Sequence, residues 1–124
     1  MSGIKVRYIV ADVEEAVRFY TEMLGFQVEM RPAPGFASLV REDLRLLLNQ
    51  PGSGGAGQSM ADGRAPAPGG WNRIQIEVEN LDAMVAELQR GECRFRSEVI
   101  TGKGGRQIIV DDPSGNPVEL FEHA

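Results

Sequence analysis

Two short segments with an apolar–polar alternation, each running directly into a helix-capping residue, constrain the fold of this chain most strongly. The first covers residues 5–11 and precedes Asp12, and the second covers residues 73–79 and precedes Asn80. Side chains of a β-strand point alternately to opposite faces, so each segment predicts a strand with one apolar and one polar face. We expect the apolar face to pack a core and the polar face to carry the function.

A helix is predicted after each of these strands. Asp12 with Glu15 is a capping box, and Asn80 is a favoured N-cap; an apolar stripe of helical spacing follows each cap. Gly25 and Gly91 predict the helix ends. In chain order the predicted elements are a strand over 5–11, a helix over 13–24, strands over 26–30, 36–40 and 44–49, a strand over 73–79, a helix over 81–90, and strands over 94–99, 106–111 and 117–121.

The second half of the chain repeats the first. Lys5 and Arg73 lie 68 residues apart, as do the two helix caps. Leu47 and Glu119 lie 72 residues apart, and loops absorb the difference. An internal duplication explains this pattern, and 124 residues are enough for one domain. We therefore predict a single domain over 1–124, with module one at 1–49, a connector at 50–70 and module two at 71–124.

The connector has a composition of its own. Between Gln50 and Gly70 the chain consists mostly of glycine, proline, serine and alanine, with Met60 as its one large apolar residue. Such a segment buries too little apolar surface to offset its ordering entropy. It is expected to be either a mobile linker or a lid over a pocket.

Charge and composition exclude several classes of protein. The net charge of -5 argues against a nucleic-acid-binding protein, which needs a basic surface. No apolar run approaches the roughly 20 residues that cross a bilayer, and residues 1–5 lack the apolar core of a signal peptide. The single Cys93 has no second thiol for a disulfide or a zinc motif. A cytoplasmic location is expected.

Two motifs resemble those of the vicinal oxygen chelate superfamily, which includes glyoxalase I, bleomycin-resistance proteins and extradiol dioxygenases. They are residues 12–20 running into 24–26, and residues 112–120 near the end. The resemblance implies an α+β fold in which two tandem βαβββ modules form a curved mixed-sheet cup with the helices outside. It also implies a small-molecule site inside the cup and a homodimer.

The resemblance further implies where a metal would be held: on the first and fourth strands of each module. Those positions here are Lys5, Leu47, Arg73 and Glu119. Divalent metals need imidazole, carboxylate or thiolate donors, and a protonated lysine or arginine has no lone pair to give. Only Glu119 has a suitable donor, and His123 is expected to be an exposed tail residue past the last strand. We therefore predict no metal site and no cofactor.

Strand parity predicts which side chains line the cup. Basic residues outnumber acidic ones four to two in this set, which is Lys5, Arg7, Arg45, Leu47, Asn49, Arg73, Gln75, Glu77, Glu119 and Phe121. Arg106, in the glycine-rich hairpin 102–107, is added as a ligand-binding candidate at the rim. Lys5, Arg73 and Glu119 either form an ion pair that replaces the metal or leave a cation free for an anionic ligand.

The sequence thus predicts a small-molecule-binding protein, metal-independent, holding an organic ligand with a polar or anionic group. The alternative is a lyase, isomerase or dioxygenase that uses Glu119, the best catalytic candidate, with or without a divalent metal. No serine lies near a histidine in the predicted elements, so a hydrolase triad is not expected. Whether the chain is an enzyme stays open at this point.

Overall fold

The computed structural model describes residues 3–124. Within this range there are two helices and nine strands, and the strands form two mixed β-sheets. Met1 and Ser2 lie outside the described residues. They belong to the segment 1–5, which lacks the apolar core of a signal peptide. The elements are β1 (Val6–Ile9), α1 (Val13–Leu24), β2 (Gln27–Ala33), β3 (Phe36–Arg41), β4 (Leu44–Asn49), β5 (Ile74–Glu77), α2 (Leu81–Arg90), β6 (Arg94–Phe95), β7 (Ile100–Thr101), β8 (Gly105–Asp111) and β9 (Pro117–His123). The predicted α+β class is confirmed. Neither described helix is long and apolar enough to cross a membrane.

The chain divides into two compact units at Pro68. In the first unit the sheet order is β1-β4-β3-β2, with β1 parallel to β4 and the other pairs antiparallel. In the second, which begins at Gly69, the order is β5-β9-β8-β6, β7 also pairs with β8, and β5 is parallel to β9. The arrangement of strand, helix and returning strands therefore occurs twice. Whether the two units make one domain stays a prediction.

Both helices begin and end where local chemistry predicts. The Asp12 carboxylate accepts a hydrogen bond from the Glu15 amide at 3.1 Å, and Asn80 accepts one from the Ala83 amide at 3.0 Å. Gly25 ends α1 in the left-handed conformation, with φ 74°. At the end of α2 the left-handed residue is Glu92, with φ 58°, whereas Gly91 has φ -80°. The helix still ends at Arg90, as predicted.

In each unit the helix packs against one face of the sheet. In both units the side chains that form this core are aliphatic or aromatic and less than a tenth exposed. They include Tyr8, Val13, Ala16, Tyr20, Leu24, Leu39, Leu46 and Leu48 in the first unit, and Ile74, Ile76, Leu81, Leu88, Ile108, Val110, Val118 and Leu120 in the second. Burial of this apolar area is the main stabilising contribution to each unit.

Several predicted strand boundaries differ from the structure. Of the predicted strand 94–99 only Arg94–Phe95 forms a strand, β6; bends follow at 96–98, and β7 begins beyond the predicted range at Ile100. β2 continues through Pro32, which the sequence placed in a turn; an edge strand tolerates proline because that amide needs no ladder partner. His123 is the last residue of β9 and does not lie beyond it.

The connector begins with a folded turn. The Gln50 amide donates to the Gly35 carbonyl at 3.0 Å, and the Gly57 amide donates to the Ser53 carbonyl at 3.1 Å. Gly57 is buried, and a Cβ there would overlap the carbonyl oxygens of Gln50 and Ser53. Residues 50–57 are therefore part of the first unit, and whether the connector 50–70 acts as a linker or as a lid stays a prediction.

Candidate functional site

The face of the first sheet that points away from α1 carries the residues predicted from module one. The Gln50 side chain reaches α1 and accepts the Val13 amide at 2.8 Å, which places the even-numbered positions of β4 on the helix side. Arg45, Leu47 and Asn49 therefore point to the opposite side. Arg7 pairs in register with Leu47 and shares that face. The predicted parity holds for this strand pair.

Arg7 is held by a buried amide on this face. Its Nε donates to Asn49 Oδ1 at 2.9 Å, and Asn49 Nδ2 donates to the Ser53 carbonyl in the connector turn at 3.4 Å. Asn49 is only 2% exposed. Within residues 3–124, Arg7 forms no ion pair, and Lys5 forms neither an ion pair nor a hydrogen bond. Both cations are exposed and form no ion pair in that range, although the charge of Lys5 contributes, after Arg45, to lowering the Glu29 pKa.

A carboxylate that the sequence did not predict holds the third cation of this face. Arg45 Nε donates to Glu29 Oε2 at 2.7 Å, and the Ser38 hydroxyl donates to Glu29 Oε1 at 3.1 Å. The hydrogen bond from Arg45 is the main cause of a Glu29 pKa below its ordinary value. The alternation of β2 is broken by register shifts around Met30, which hid Glu29 from parity arguments.

The polar face of the second sheet is built around Glu119. In register, β9 places Glu119 beside Gln75 of β5 and Ile109 of β8. Its Oε1 accepts from Arg73, with both Nε and Nη2 at 2.9 Å, and its Oε2 accepts from Gln75 Nε2 at 2.6 Å. The Glu119 side chain is 11% exposed and that of Arg73 is 27% exposed. The structure therefore brings together three of the predicted residues of module two.

The chemistry available to Glu119 follows from these bonds. Both oxygens of Glu119 already accept hydrogen bonds, so taking a proton from a ligand would require one of these bonds to break. A ligand carboxylate could exchange onto Arg73 because that guanidinium is partly exposed. Arg73 and Glu119 thus form the ion pair that was one of the two predicted alternatives. Within the described residues, Lys5 forms no hydrogen bond or ion pair with either of them.

Phe121 and Glu77 extend the same face. Glu77 pairs in register with Phe121, whose ring meets His123 edge-on with centroids 4.9 Å apart. His123 Nε2 lies 3.0 Å from Glu77 Oε1, and both side chains are more than 60% exposed. An exposed pair of this kind contributes little to stability. Phe121 is half-buried and adds an aromatic side chain to the face that carries Glu119.

Arg106 lies on the opposite face of the second sheet and is a correction to the predicted site. It pairs in register with Glu122, and its guanidinium donates to Asp82 of α2 and to Glu122, each at 3.1 Å. Glu122 also accepts the Leu81 amide at 2.8 Å, so this cluster fixes the start of α2. Arg106 shares the parity of the core residue Ile108, and we remove it from the candidate site.

The turn before β9 positions Glu119. Asp112 Oδ1 accepts the amides of Ser114 and Asn116, each at 2.9 Å, and Gly115 adopts φ 86°. Asn116 in turn accepts the Gly69 amide at 2.8 Å. These side chains are committed to the turn and its neighbours, so the motif at 112–116 supports the strand that carries Glu119.

The residues at the four expected metal positions do not fit a divalent metal. Lys5 and Arg73 carry donor hydrogens and positive charge, Leu47 has no polar atom, and Glu119 has both oxygens bonded. Among the described residues, no group of three or more histidine, cysteine, aspartate or glutamate side chains is arranged to hold a metal ion.

Comparison with known proteins supports the fold. The chain is 32% identical over 120 residues to the human protein named methylmalonyl-CoA epimerase, mitochondrial; the match covers 87% of this chain and 64% of that protein's length. TnmS3, described as an antibiotic binding protein from Streptomyces sp. CB03234, superposes with a TM-score of 0.73 at 23% identity, covering 100% of this chain and 98% of that one. Lactoylglutathione lyase from Agrobacterium tumefaciens gives 0.73 at 19% identity, covering 98% and 94%.

The family assignment rests on a wider match. Residues 5–120 fit the model of the Glyoxalase/Bleomycin resistance protein/Dioxygenase superfamily. That range contains both helix caps, the parallel strand pairs and the 112–116 turn that carried the resemblance in the sequence. The chain therefore belongs to the Glyoxalase/Bleomycin resistance protein/Dioxygenase superfamily.

Proposed function

We propose that this chain binds an organic small molecule that carries an anionic group, and that it does so with its own side chains, without a metal. The observation that carries the proposal is the pair of exposed cations, Lys5 and Arg7, on the polar face of the first sheet. Within residues 3–124 neither forms an ion pair. Arg7 is held in position by the neutral amide of Asn49, so its positive charge is available to bind an anion.

The local geometry supports an anion at Arg7. Asn49 occupies Nε and accepts a hydrogen bond without neutralising charge, so the two Nη groups keep their donors for a ligand. Arginine binds carboxylates and phosphates with such paired donors. By contrast, the Arg45 charge is already offset by Glu29 and the Arg73 charge by Glu119. The first sheet therefore presents more positive than negative charge.

The relatives support the same class of function. A protein with the same fold is described as an antibiotic binding protein, which makes a small organic ligand a reasonable occupant of such a fold. The donor set at the expected metal positions, with only one carboxylate, favours binding through hydrogen bonds and charge.

Titration calorimetry with two matched probes tests the proposal. Benzoate and benzamide have the same shape, and only benzoate carries charge. We expect benzoate to bind at least about tenfold more tightly, since a charge-assisted hydrogen bond contributes roughly 1.5–3 kcal/mol. Replacing both Lys5→Gln and Arg7→Gln should remove that preference.

The control removes the same charge elsewhere. Arg18 and Arg90 are exposed on the two helices, so Arg18→Gln with Arg90→Gln changes the net charge equally. This variant should keep the preference for benzoate. Equal binding of benzoate and benzamide, or equal losses in the two double variants, would refute the assignment of Lys5 and Arg7.

A second candidate function is catalysis at Glu119. The 32% identity to methylmalonyl-CoA epimerase favours it, as does the burial of Glu119 at 8% exposure. Epimerising a carbon next to a thioester requires its proton to leave, and a ligand anion that draws Arg73 away would free the Glu119 carboxylate to take that proton.

Solvent exchange tests this alternative directly. Methylmalonyl-CoA incubated with the protein in D₂O, with and without added divalent metal, would gain one deuterium if the proton is removed. We expect no exchange above the rate without protein if the chain only binds its ligand. Exchange that disappears in Glu119→Gln would establish the enzyme.

The assembly and cellular setting form part of the proposal. By analogy with the family, we propose a homodimer acting in the cytoplasm. Light scattering of the purified protein measures the mass of the particle, and a mass equal to one chain across the working concentration range would exclude the dimer.

A further inference from the structure

Leu47 is a half-exposed apolar residue beside one of the two cations of the proposed anion site. Its neighbours in β4, Leu46 and Leu48, are fully buried on the helix side of the sheet, whereas Leu47 is partly open on the other side. Leu47 and Arg7 are register partners on the adjacent parallel strands β4 and β1. Neighbouring strands are about 4.8 Å apart, so a small anion held by Arg7 brings the rest of its molecule close to Leu47.

Two further apolar side chains continue this surface across the sheet. Leu47 pairs in register with Ser38 of β3, and Ser38 pairs with Met30 of β2, which is 51% exposed. One row further along, the half-buried Phe36 pairs with Asn49. Residues paired in register share a face of a sheet, so Leu47, Phe36 and Met30 form one apolar patch. All of these residues belong to the first unit, as does Arg7.

The polar side chains within the patch already have hydrogen-bond partners. The Ser38 hydroxyl donates to Glu29 Oε1 at 3.1 Å, and Ser38 is 1% exposed. Asn49 Oδ1 accepts from Arg7 at 2.9 Å and its Nδ2 donates to the Ser53 carbonyl at 3.4 Å. A polar group placed over these two side chains would lose water without gaining a donor from them. The surface beside Arg7 therefore favours carbon atoms over polar atoms in a ligand.

We propose that the apolar patch around Leu47 binds a compact apolar group joined directly to the anionic group of the ligand. The inference rests on the proposed function and narrows it, because it makes the ligand an aryl or branched-alkyl acid and disfavours hydroxylated acids. The anionic group neutralises Arg7, and the apolar group covers Leu47 one strand away. Leu47 is also one of the four expected metal positions, so an apolar contact with the ligand takes place where a metal ligand is expected.

Two carboxylates separate the apolar contact from anion binding. Benzoate and acetate present the same charged group, and only benzoate carries a ring. We expect benzoate to bind about tenfold more tightly by calorimetry, because its ring leaves water on binding. Leu47→Asn keeps the volume of the side chain but makes it polar. This change should lower the ratio of the two affinities at least about threefold and leave acetate binding nearly unchanged.

The matched control makes the same substitution on the same strand. Leu44 is also half-exposed, and it lies on the helix side of β4 with the other even-numbered positions. Leu44→Asn should therefore preserve the preference for benzoate. Leu47→Met, which keeps an apolar side chain of similar size, should preserve it as well. Circular dichroism of the three variants verifies that each is folded.

A methyl spectrum of the wild-type protein locates the ring directly. In protein labelled with ¹³C at the leucine methyl groups, the Leu47 signals are those that disappear in Leu47→Met. Benzoate should shift them through its ring current, and acetate should leave them in place.

The outcomes distinguish the apolar patch from the anion site. Benzoate that binds without moving the Leu47 signals, or equal losses of preference in Leu47→Asn and Leu44→Asn, would overturn the patch and leave the anion site standing. No binding of either carboxylate would overturn both. Shifted Leu47 signals together with a loss confined to Leu47→Asn would establish the contact.

Discussion

Arg73 and Glu119 form an ion pair across the parallel strands β5 and β9, at two of the four positions where the family resemblance places metal ligands. The guanidinium meets Glu119 Oε1 through Nε and Nη2, each at 2.9 Å, and the Glu119 side chain is 11% exposed. Gln75 satisfies the other oxygen. An ion pair between two side chains of the protein thus occupies two of the positions where metal ligands are expected.

Breaking this pair on one side should cost more than removing both partners. Arg73→Met leaves a nearly buried carboxylate without its cation, and we expect a loss of about 2–4 kcal/mol in the free energy of unfolding. Arg73→Met combined with Glu119→Met should recover most of that loss. Urea unfolding of the two single variants and the double variant measures the coupling. Additive effects would show that the two side chains do not interact.

The Glu122 cluster should make stability depend on pH. The Leu81 amide, and then Arg106, hold the Glu122 pKa below its ordinary value of 4.5. A lowered carboxyl pKa gives stability that is present above the unfolded pKa and is lost as pH falls through the folded pKa. Wild type should therefore exceed Glu122→Gln in stability at about pH 7, and the difference should shrink by about pH 3. A difference that stays constant over this range would contradict the role of Glu122.

The connector turn offers a steric test. A methyl group at Gly57 would overlap backbone oxygens of Gln50 and Ser53, and we expect Gly57→Ala to destabilise the protein by about 1–3 kcal/mol. Gly55 has open space around its Cα, so Gly55→Ala should be neutral or slightly stabilising. Thermal unfolding of the two variants compares them. Similar midpoints would mean that residues 50–57 do not form this turn in solution.

Arg96 should hold the Trp71 ring still. Arg96→Lys keeps the charge but loses the planar group that covers the indole and bonds two carbonyls. We expect lower fluorescence anisotropy from Trp71 because the ring gains freedom to rotate. Arg94→Lys is the control, since Arg94 is exposed on the neighbouring strand. Unchanged anisotropy in Arg96→Lys would show that the stack does not restrain the ring.

Sequence reasoning located the helices and the strand faces because both depend on local rules. A cap such as Asp12 or Asn80 acts within one turn, and the alternation of a strand has a fixed period of two. The apolar side of β9, with Val118 and Leu120, therefore identified Glu119 as a residue of the other face. The same rule correctly separated Leu47 from the buried Leu46 and Leu48.

What the sequence missed depends on contacts between distant segments. Glu29 joins Arg45 and Ser38 only because β2 pairs with β3 through two register shifts, which no local pattern reports. Arg106 was assigned from its glycine-rich hairpin, although its parity with Ile108 places it on the core side. The Arg96 contact with Trp71 likewise requires β6 to end in a bend.

The most direct test of the account is titration calorimetry of benzoate into protein stripped with chelator, repeated after adding nickel, zinc, manganese or ferrous iron, with retained metal measured by elemental analysis. We predict the same affinity in every sample and no stoichiometric metal, because Lys5 and Arg7 supply the binding and both Glu119 oxygens already accept hydrogen bonds. Tight stoichiometric metal together with benzoate binding that appears only in the loaded protein would contradict it.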